Sequence, residues 1–462
     1  MKMINRRRTT ASLAGAAALA LTLAACGGAD DLGGGGGGGG GGATAGGGET
    51  DCSAYEEYGS FEGEKVTLFS SIREVEADQL QDTFTDFTEC TGITVEHNGS
   101  GEFEQQVVVQ AEGGNAPDLA IFPQPGLLQR MVKEGHVVAA PDAVEKKVDE
   151  GWSEDWKNYG TVDGEFYAAP LMASVKSFVW YSPTAFEENG YEVPKTWDEL
   201  MTLTQKIADE KGSDTTKPWC AGIESGGATG WPATDFIEDM VLRSAGGDVY
   251  DQWINHEIPF NDPQIVEAVD MAGAILKNPD YTNGGLGDPR TIATTSFNDG
   301  GLPILDGECF MYRMASFYEA QWPEGTDVGP DGEVFAFYLP GMTEDESPLL
   351  TAGEFVGAFN DREATAAVQA YMASGDWANT RVEIGGVTSA NKAVDPELAS
   401  SDVLRLAIEL LQDESAVARF DGSDLMPSEV GAGSFWTGMV DWVNGSETKP
   451  VLDQIEASWP AS

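Results

Sequence analysis

The residues best suited to chemistry lie in the stretch Trp219–Leu242, where Glu224, Ser225 and Thr229 occupy a glycine-loosened loop that ends in Trp231-Pro232 and opens a helix. Carboxylate and hydroxyl groups beside an indole suit a ligand with many hydroxyls and a C–H face. The hydroxyls need hydrogen-bond partners and the C–H face packs on an aromatic ring. A saccharide offers both. The same residues also fit a surface loop leading into a helix whose Trp231 is a core anchor.

Other chemistries find little support. His97, His136 and His256 lack metal-ligand spacing, Gly222–Gly226 is not a Gly-x-Ser-x-Gly elbow, and no Walker-type phosphate loop occurs. A glycosidase needs two carboxylates across a scissile bond. With 77 acidic residues, any such pairing carries no weight. No catalytic residue, metal ligand or cofactor site is assigned.

The elements that must position these residues begin with a strand at Val66–Phe69, followed by a helix with Leu80, Phe84 and Phe87 on one face. Ile93–Val95 reads as a second strand, Phe103 and Val107 mark a short helix stopped at Gly113-Gly114, and Leu119–Phe122 is a third strand. This alternation predicts an α/β fold with a largely parallel sheet. Ligands of such sheets sit beyond the carboxyl ends of strands, which makes Arg73 and Gln124 candidate contacts in the segments Ser70–Arg73 and Phe122–Gln124.

Further along, Leu171–Tyr181 is an apolar run interrupted by Ser174, Lys176 and Ser177. A lysine there stands at a sheet edge or at a cleft. Thr196 and Glu199 form a capping box for the next helix, Pro263 opens another, and Val334–Leu339 reads as a strand. Asp361 is expected to cap an alanine-rich helix through Met372, and helices near Val403–Leu411 and Ser434–Val443 end the fold.

Composition narrows the partners. The chain has 462 residues, long for one domain, and carries 77 acidic against 26 basic residues for a formal charge of -51. Nucleic acid, which binds through basic surface, is excluded as a partner. A neutral solute is the simplest ligand.

The N-terminus reads as an address. Lys2 and Arg6–Arg8 form a basic region, Ala11–Ala20 an apolar one, and Leu23-Ala24-Ala25-Cys26 resembles a bacterial lipobox with Cys26 as the lipidated residue. Residues 1–25 are thus a signal peptide, and 26–60 a tether that includes the glycine run Gly33–Gly42. Its stretch from Gly27 to Asp51 spans roughly 25 to 30 Å as random coil. Beyond Cys26, the four cysteines Cys52, Cys90, Cys220 and Cys309 suit an oxidising compartment. Connectivity does not follow from sequence, but pairing Cys52 with Cys90 and Cys220 with Cys309 keeps each bridge within one proposed lobe.

Several segments together resemble the extracellular solute-binding proteins of carbohydrate ABC transporters, of the alpha-glucoside-binding type. They are the lipobox, Tyr181-Ser182-Pro183 with Pro194–Leu200, GWPATDFIEDMVLR from Gly230 to Arg243, VYDQW from Val249 to Trp253, and FDGSDLMPSEVGAGSFW from Phe420 to Trp436. The resemblance implies the two-lobed type II periplasmic-binding fold, closing on a sugar and docking on a permease, with no catalysis and no cofactor. It implies crossings between lobes near Met172–Lys176, Glu333–Leu339 and Gly385–Asn391. Lobe 1 would hold residues 61–171 and 340–384, and lobe 2 residues 172–339 and 385–462.

By similarity to maltose-binding relatives, Trp436 stacks on a sugar ring, and Glu224 and Trp231 supply a carboxylate and an aromatic. Ser174 stands where those relatives carry a glutamate, and Arg313-Met314 where they carry a further stacking tryptophan. Trp436 equally fits a core anchor, from the helical spacing of Met439 and Val440. Arg313, Lys176 and Asp424 fit structural ion pairs as well as ligand contacts. The protein is expected to act as a monomer held to the membrane by its lipid. The alternatives are a surface lipoprotein binding an osmolyte or peptide, and an adhesin with no transport role.

Overall fold

The structure, a computed structural model, describes residues 50–283, 287–413 and 415–460. The expected signal peptide, Cys26 and the glycine run lie outside the described residues. Two sheets organise the chain.

The larger sheet has strand order β12-β11-β3-β1-β2, with β6 also pairing to β11. It is built from β1 (Lys65–Ser70), β2 (Thr94–Gly99), β3 (Leu119–Phe122), β6 (Ala168–Val175), β11 (Pro348–Ala358) and β12 (Val417–Phe420). β1 runs parallel to β2 and β3, as alternating strands and helices require. The long β11 enters antiparallel to β3 and β6. A small hairpin, β4 (Thr161–Val162) with β5 (Glu165–Phe166), precedes β6. The second sheet has the order β10-β7-β9-β8, from β7 (Phe178–Tyr181), β8 (Lys217–Cys220), β9 (Cys309–Arg313) and β10 (Phe335–Tyr338).

Each sheet has its own core. Leu68, Phe87, Ile121, Val356 and Trp377 belong to one buried cluster, and Trp219, Ile237, Met240, Phe310 and Trp442 to another. Helices close over them: α1 (Glu74–Asp82), α2 (Phe103–Glu112), α3 (Pro125–Lys133), α4 (Trp197–Lys211), α5 (Trp231–Ser244), α6 (Gly375–Ile384) and α7 (Trp436–Val443). The capping box of α4 forms: the Glu199 N–H donates to Thr196 Oγ1 at 3.2 Å, while Glu199 Oε2 accepts from the Lys195 N–H at 2.8 Å.

Four local readings need correction. The face carrying Leu80, Phe84 and Phe87 is split between α1 and a second helix, Thr85–Thr91, yet all three side chains are buried. Asp361 does not cap the helix Glu363–Met372; Asn360 instead accepts from the Arg362 N–H at 3.2 Å. The folded part begins before Phe61, because Cys52–Tyr58 forms a 3-10 helix bonded through Cys52 to Cys90 and packs Tyr58 on Phe87 with ring centroids 5.7 Å apart. Finally, Val417–Phe420, read with the other lobe, pairs in parallel with β11 at the edge of the large sheet. Cys220 is bonded to Cys309.

Candidate functional site

A cavity of about 220 Å³ opens beyond the carboxyl ends of β1 and β3, where Ser71–Arg73 and Pro123-Gln124 line it. Its other walls come from Ser174 and Lys176 at the end of β6, from Trp231, from Phe297 and Phe317, from Asp421 and Asp424, and from Trp436. Seven of the sequence candidates thus meet here: Arg73, Gln124, Ser174, Lys176, Trp231, Asp424 and Trp436.

The hub is α5. Every residue from Pro232 to Arg243 is buried, so this helix has no solvent face, and its charged residues need internal partners. Asp235 and Asp239 accept from Arg313, whose Nη1 lies 3.3 Å from Asp235 Oδ2 and whose Nε lies 3.0 Å from Asp239 Oδ2. Arg313 therefore belongs to the core network and is not among the cavity residues. Arg243 Nε and Nη2 donate to the carbonyls of Pro340 at 2.9 Å and Pro348 at 3.1 Å, fastening the chain between β10 and β11. The segment after α6 is fastened in the same way: Thr388 Oγ1 donates to the Ala173 carbonyl at 2.6 Å.

Lys176 links this network to the cavity. Its ammonium lies 2.9 Å from Asp235 and 3.1 Å from Asp421, and stands 4.6 Å from the centroid of the Trp231 ring. Burial works against its charge, but the carboxylates of Asp235, Asp421 and Asp424 outweigh it and hold its pKa above the ordinary lysine value. Burial pushes Asp235 up to about 7 against the pull of Lys176. Asp421 is buried too, yet Lys176 and its hydrogen bonds bring it down to about 2. Asp424 is raised well above the carboxylate range by burial and by the charge of Asp421.

The aromatic wall depends on one glycine. Gly230, with φ +119°, precedes α5 so closely to Trp436 that a Cβ there would stand 2.3 Å from the Trp436 carbonyl oxygen. Only glycine brings Trp231 and Trp436 to the same cavity. Trp231 packs on Phe297 with centroids 5.0 Å apart and on Phe317 at 6.0 Å, which supplies aromatic surface where Arg313-Met314 has none. Trp436 is 3% exposed, and its Nε1 has no partner among the described residues.

Glu224 stands apart from this cavity. It lines an adjoining surface hollow with Arg73, Glu102 and Asp299, and its Oε1 accepts from the Gly226 N–H at 2.8 Å, bracing its own loop. Sequence reading missed Asp421, Glu76, Glu104 and Glu354, which line the cavity, and Asp235, which does not line it but pairs with Lys176. A signal for Asp235 was present: acids at 235, 238 and 239 with Arg243 recur at helical spacing inside an otherwise apolar segment.

Residues 73–294 match the family model described as bacterial extracellular solute-binding protein. The osmoprotective compounds-binding protein GgtB of Synechocystis sp. is 37% identical over 415 residues, 89% of this chain and 96% of that one. The alpha-glucosides-binding periplasmic protein AglE of Rhizobium meliloti is 35% identical over 409 residues, 86% and 87% of the two chains. Among solved structures, a chitin oligosaccharide binding protein superposes with a TM-score of 0.71 at 16% identity, covering 85% of this chain and 97% of that one. Maltose-bound MalE3 of T. maritima gives 0.66 at 19% identity, covering 85% and 98%. The fold is that of the two-lobed type II binding proteins.

Proposed function

Because the chain belongs to the bacterial extracellular solute-binding proteins, we propose that it captures a sugar of the alpha-glucoside class by lobe closure and hands it to the permease of an ABC importer. The observation that carries this reading is the meeting of two indoles, Trp231 and Trp436, with Lys176, Asp421 and Asp424 in one cavity. Rings take the C–H face and the charged groups take hydroxyls.

In this reading lobe 1 comprises 61–171 and 340–384, to which Cys52–Tyr58 and Val417–Phe420 are added. Lobe 2 comprises the rest of 172–339 and 385–460. A solute touching Trp231 and Trp436 on one side and Arg73 or Gln124 on the other favours the closed form through its differential contacts. A solute touching one lobe alone binds without closing it. The mature protein is a monomer lipidated at Cys26 and tethered by its glycine run. It returns its ligand chemically unchanged and uses no cofactor. Among the described residues no helix is long and apolar enough to cross a membrane.

A second reading is an osmolyte receptor, in line with the relative GgtB, an osmoprotective compounds-binding protein. The ammonium of Lys176 over Trp231 is the observation in its favour, since it marks that ring as a place for a cation. Calorimetric titration of the mature protein with maltose, trehalose, sucrose, glucose and glycine betaine separates the readings. Saturable binding of a glucoside and not of betaine supports sugar import, and the reverse supports the osmolyte. Silence with all five turns the search to peptides or to an adhesin role.

A further inference from the structure

The cavity has a second wall that carries no aromatic ring. Glu76 of α1 and Glu354 of β11 line it, beside Val387 and Thr388. Glu354 sits where the pairing of β11 with β6 shifts register between Gly353 and Phe355, an irregularity of the kind that re-aims a side chain. Behind the two carboxyls stands Arg381 of α6, only 1% exposed, whose Nη1 donates to the Gly385 carbonyl at 2.6 Å.

Four buried polar atoms on α1, β11 and α6 have no hydrogen-bond partner among the described residues: Gln79 Oε1, Glu354 Oε2, and Nε and Nη2 of Arg381. Buried polar groups are normally paired, and a cluster of unpaired ones is costly unless it serves something. A structural role would close Arg381 on Glu76 or Glu354 as an ion pair. Instead its guanidinium bonds a backbone carbonyl and acts on both carboxyls through space.

We infer that Glu76 and Glu354 form a second recognition pole of the cleft, which takes adjacent hydroxyls of the bound solute, with Arg381 behind them as a positioning residue. This rests on the sugar-binding reading and extends it to the end of the solute that meets no ring. Two carboxyl groups from different elements offer paired oxygens to hydroxyls on neighbouring carbons. The charged groups facing Glu354 are Glu76 from α1 and Arg381 from α6. Burial first, and the charge of Glu76 second, push Glu354 up to about 8, against the opposing pull of Arg381. Near neutral pH it therefore keeps its proton and both donates and accepts.

The test is calorimetric titration of maltose and trehalose into the full mature chain and its variants Glu354→Leu, Glu354→Gln and Glu76→Leu, each first checked by thermal unfolding. Both leucine variants are expected to weaken binding by at least about tenfold. Glu354→Gln keeps a neutral donor and acceptor and is expected to stay within about threefold near pH 7. Raising the pH to about 9 should weaken the wild type more than it weakens Glu354→Gln, which keeps the other titrating groups of the cavity but lacks the Glu354 carboxyl. Should Glu354→Leu fail to fold, Glu76→Leu probes the same pole from another element. Wild-type affinity in the leucine variants overturns the pole and leaves the sugar reading intact. A wild type that binds neither sugar overturns both.

Discussion

Lys176 holds its ammonium 4.6 Å from the ring centroid of Trp231 and, with the same nitrogen, pairs at 2.9 Å with Asp235, one turn further along the same helix. The cavity wall and the buried network of α5 therefore share one cation. Removing it leaves Asp235 and Asp421, both buried, without their ammonium. Lys176→Met is expected to cost about 3 to 5 kcal/mol, the usual consequence of breaking a buried ion pair from one side. Urea unfolding measures it, and a loss below about 1 kcal/mol would show that the pairing is no stronger than a surface one.

Trp436 lines the cavity with its indole nitrogen unpaired. Trp436→Ala is expected to weaken glucoside binding by at least about tenfold, or about 1.4 kcal/mol. Affinity equal to the wild type would remove Trp436 from the site.

The cavity is lined by Glu76, Glu104, Glu354, Asp421 and Asp424 against the two cations Arg73 and Lys176. An added ligand carboxylate meets these carboxyl groups and a Lys176 already paired with Asp235 and Asp421, which disfavours its charge. A glucoside oxidised to its uronic acid is expected to bind at least about tenfold more weakly than its neutral parent, a difference that direct titration reads. Equal affinities would show that the carboxyl groups do not set the field a ligand meets.

Glu354 also sets a pH dependence of stability. Its folded pKa, about 8, lies above the ordinary glutamate value of 4.5 because burial and Glu76 disfavour its charge. Between those values the folded state holds a proton that the unfolded state has released. Its contribution is therefore complete below the unfolded value and is lost as pH rises through the folded one. Unfolding free energies followed from about pH 5 to about pH 9 should fall more steeply for the wild type than for Glu354→Gln. Parallel curves would refute the shift.

Cys52 and Cys90 are bonded across 38 residues with Cα atoms 5.3 Å apart, tying the first ordered turn to the helix Thr85–Thr91. The double variant Cys52→Ser/Cys90→Ser is expected to lose about 4 kcal/mol by the loop-entropy relation. Denaturant unfolding without reductant gives the value. An unchanged midpoint would mean that the aromatic packing of Tyr58 and Phe87 alone holds this segment.

The local elements were legible because short-range periodicity and caps encode them. β1, β3 and α4 stand where Val66–Phe69, Leu119–Phe122 and the Thr196–Glu199 box predict them, and the carboxyl ends of β1 and β3 point to the cavity. The motifs from Gly230 to Arg243 and from Phe420 to Trp436 likewise held both indoles and both cavity aspartates of the second motif.

The tertiary structure alone decided which charges face a ligand. Lys176 finds Asp235 and Asp421 far along the chain, and Arg313, at the end of the otherwise apolar β9, closes on Asp235 and Asp239 rather than on the cavity. Glu224 turns back onto its own loop once Gly226 takes a positive φ, so its carboxylate braces backbone. Glu354, inside an apolar strand, reaches the cavity at an irregularity that no two-residue alternation announces. Sequence spacing fixes which residues share a helix or strand face. The partner across the cleft depends on how distant faces pack and on where burial leaves a charge unpaired.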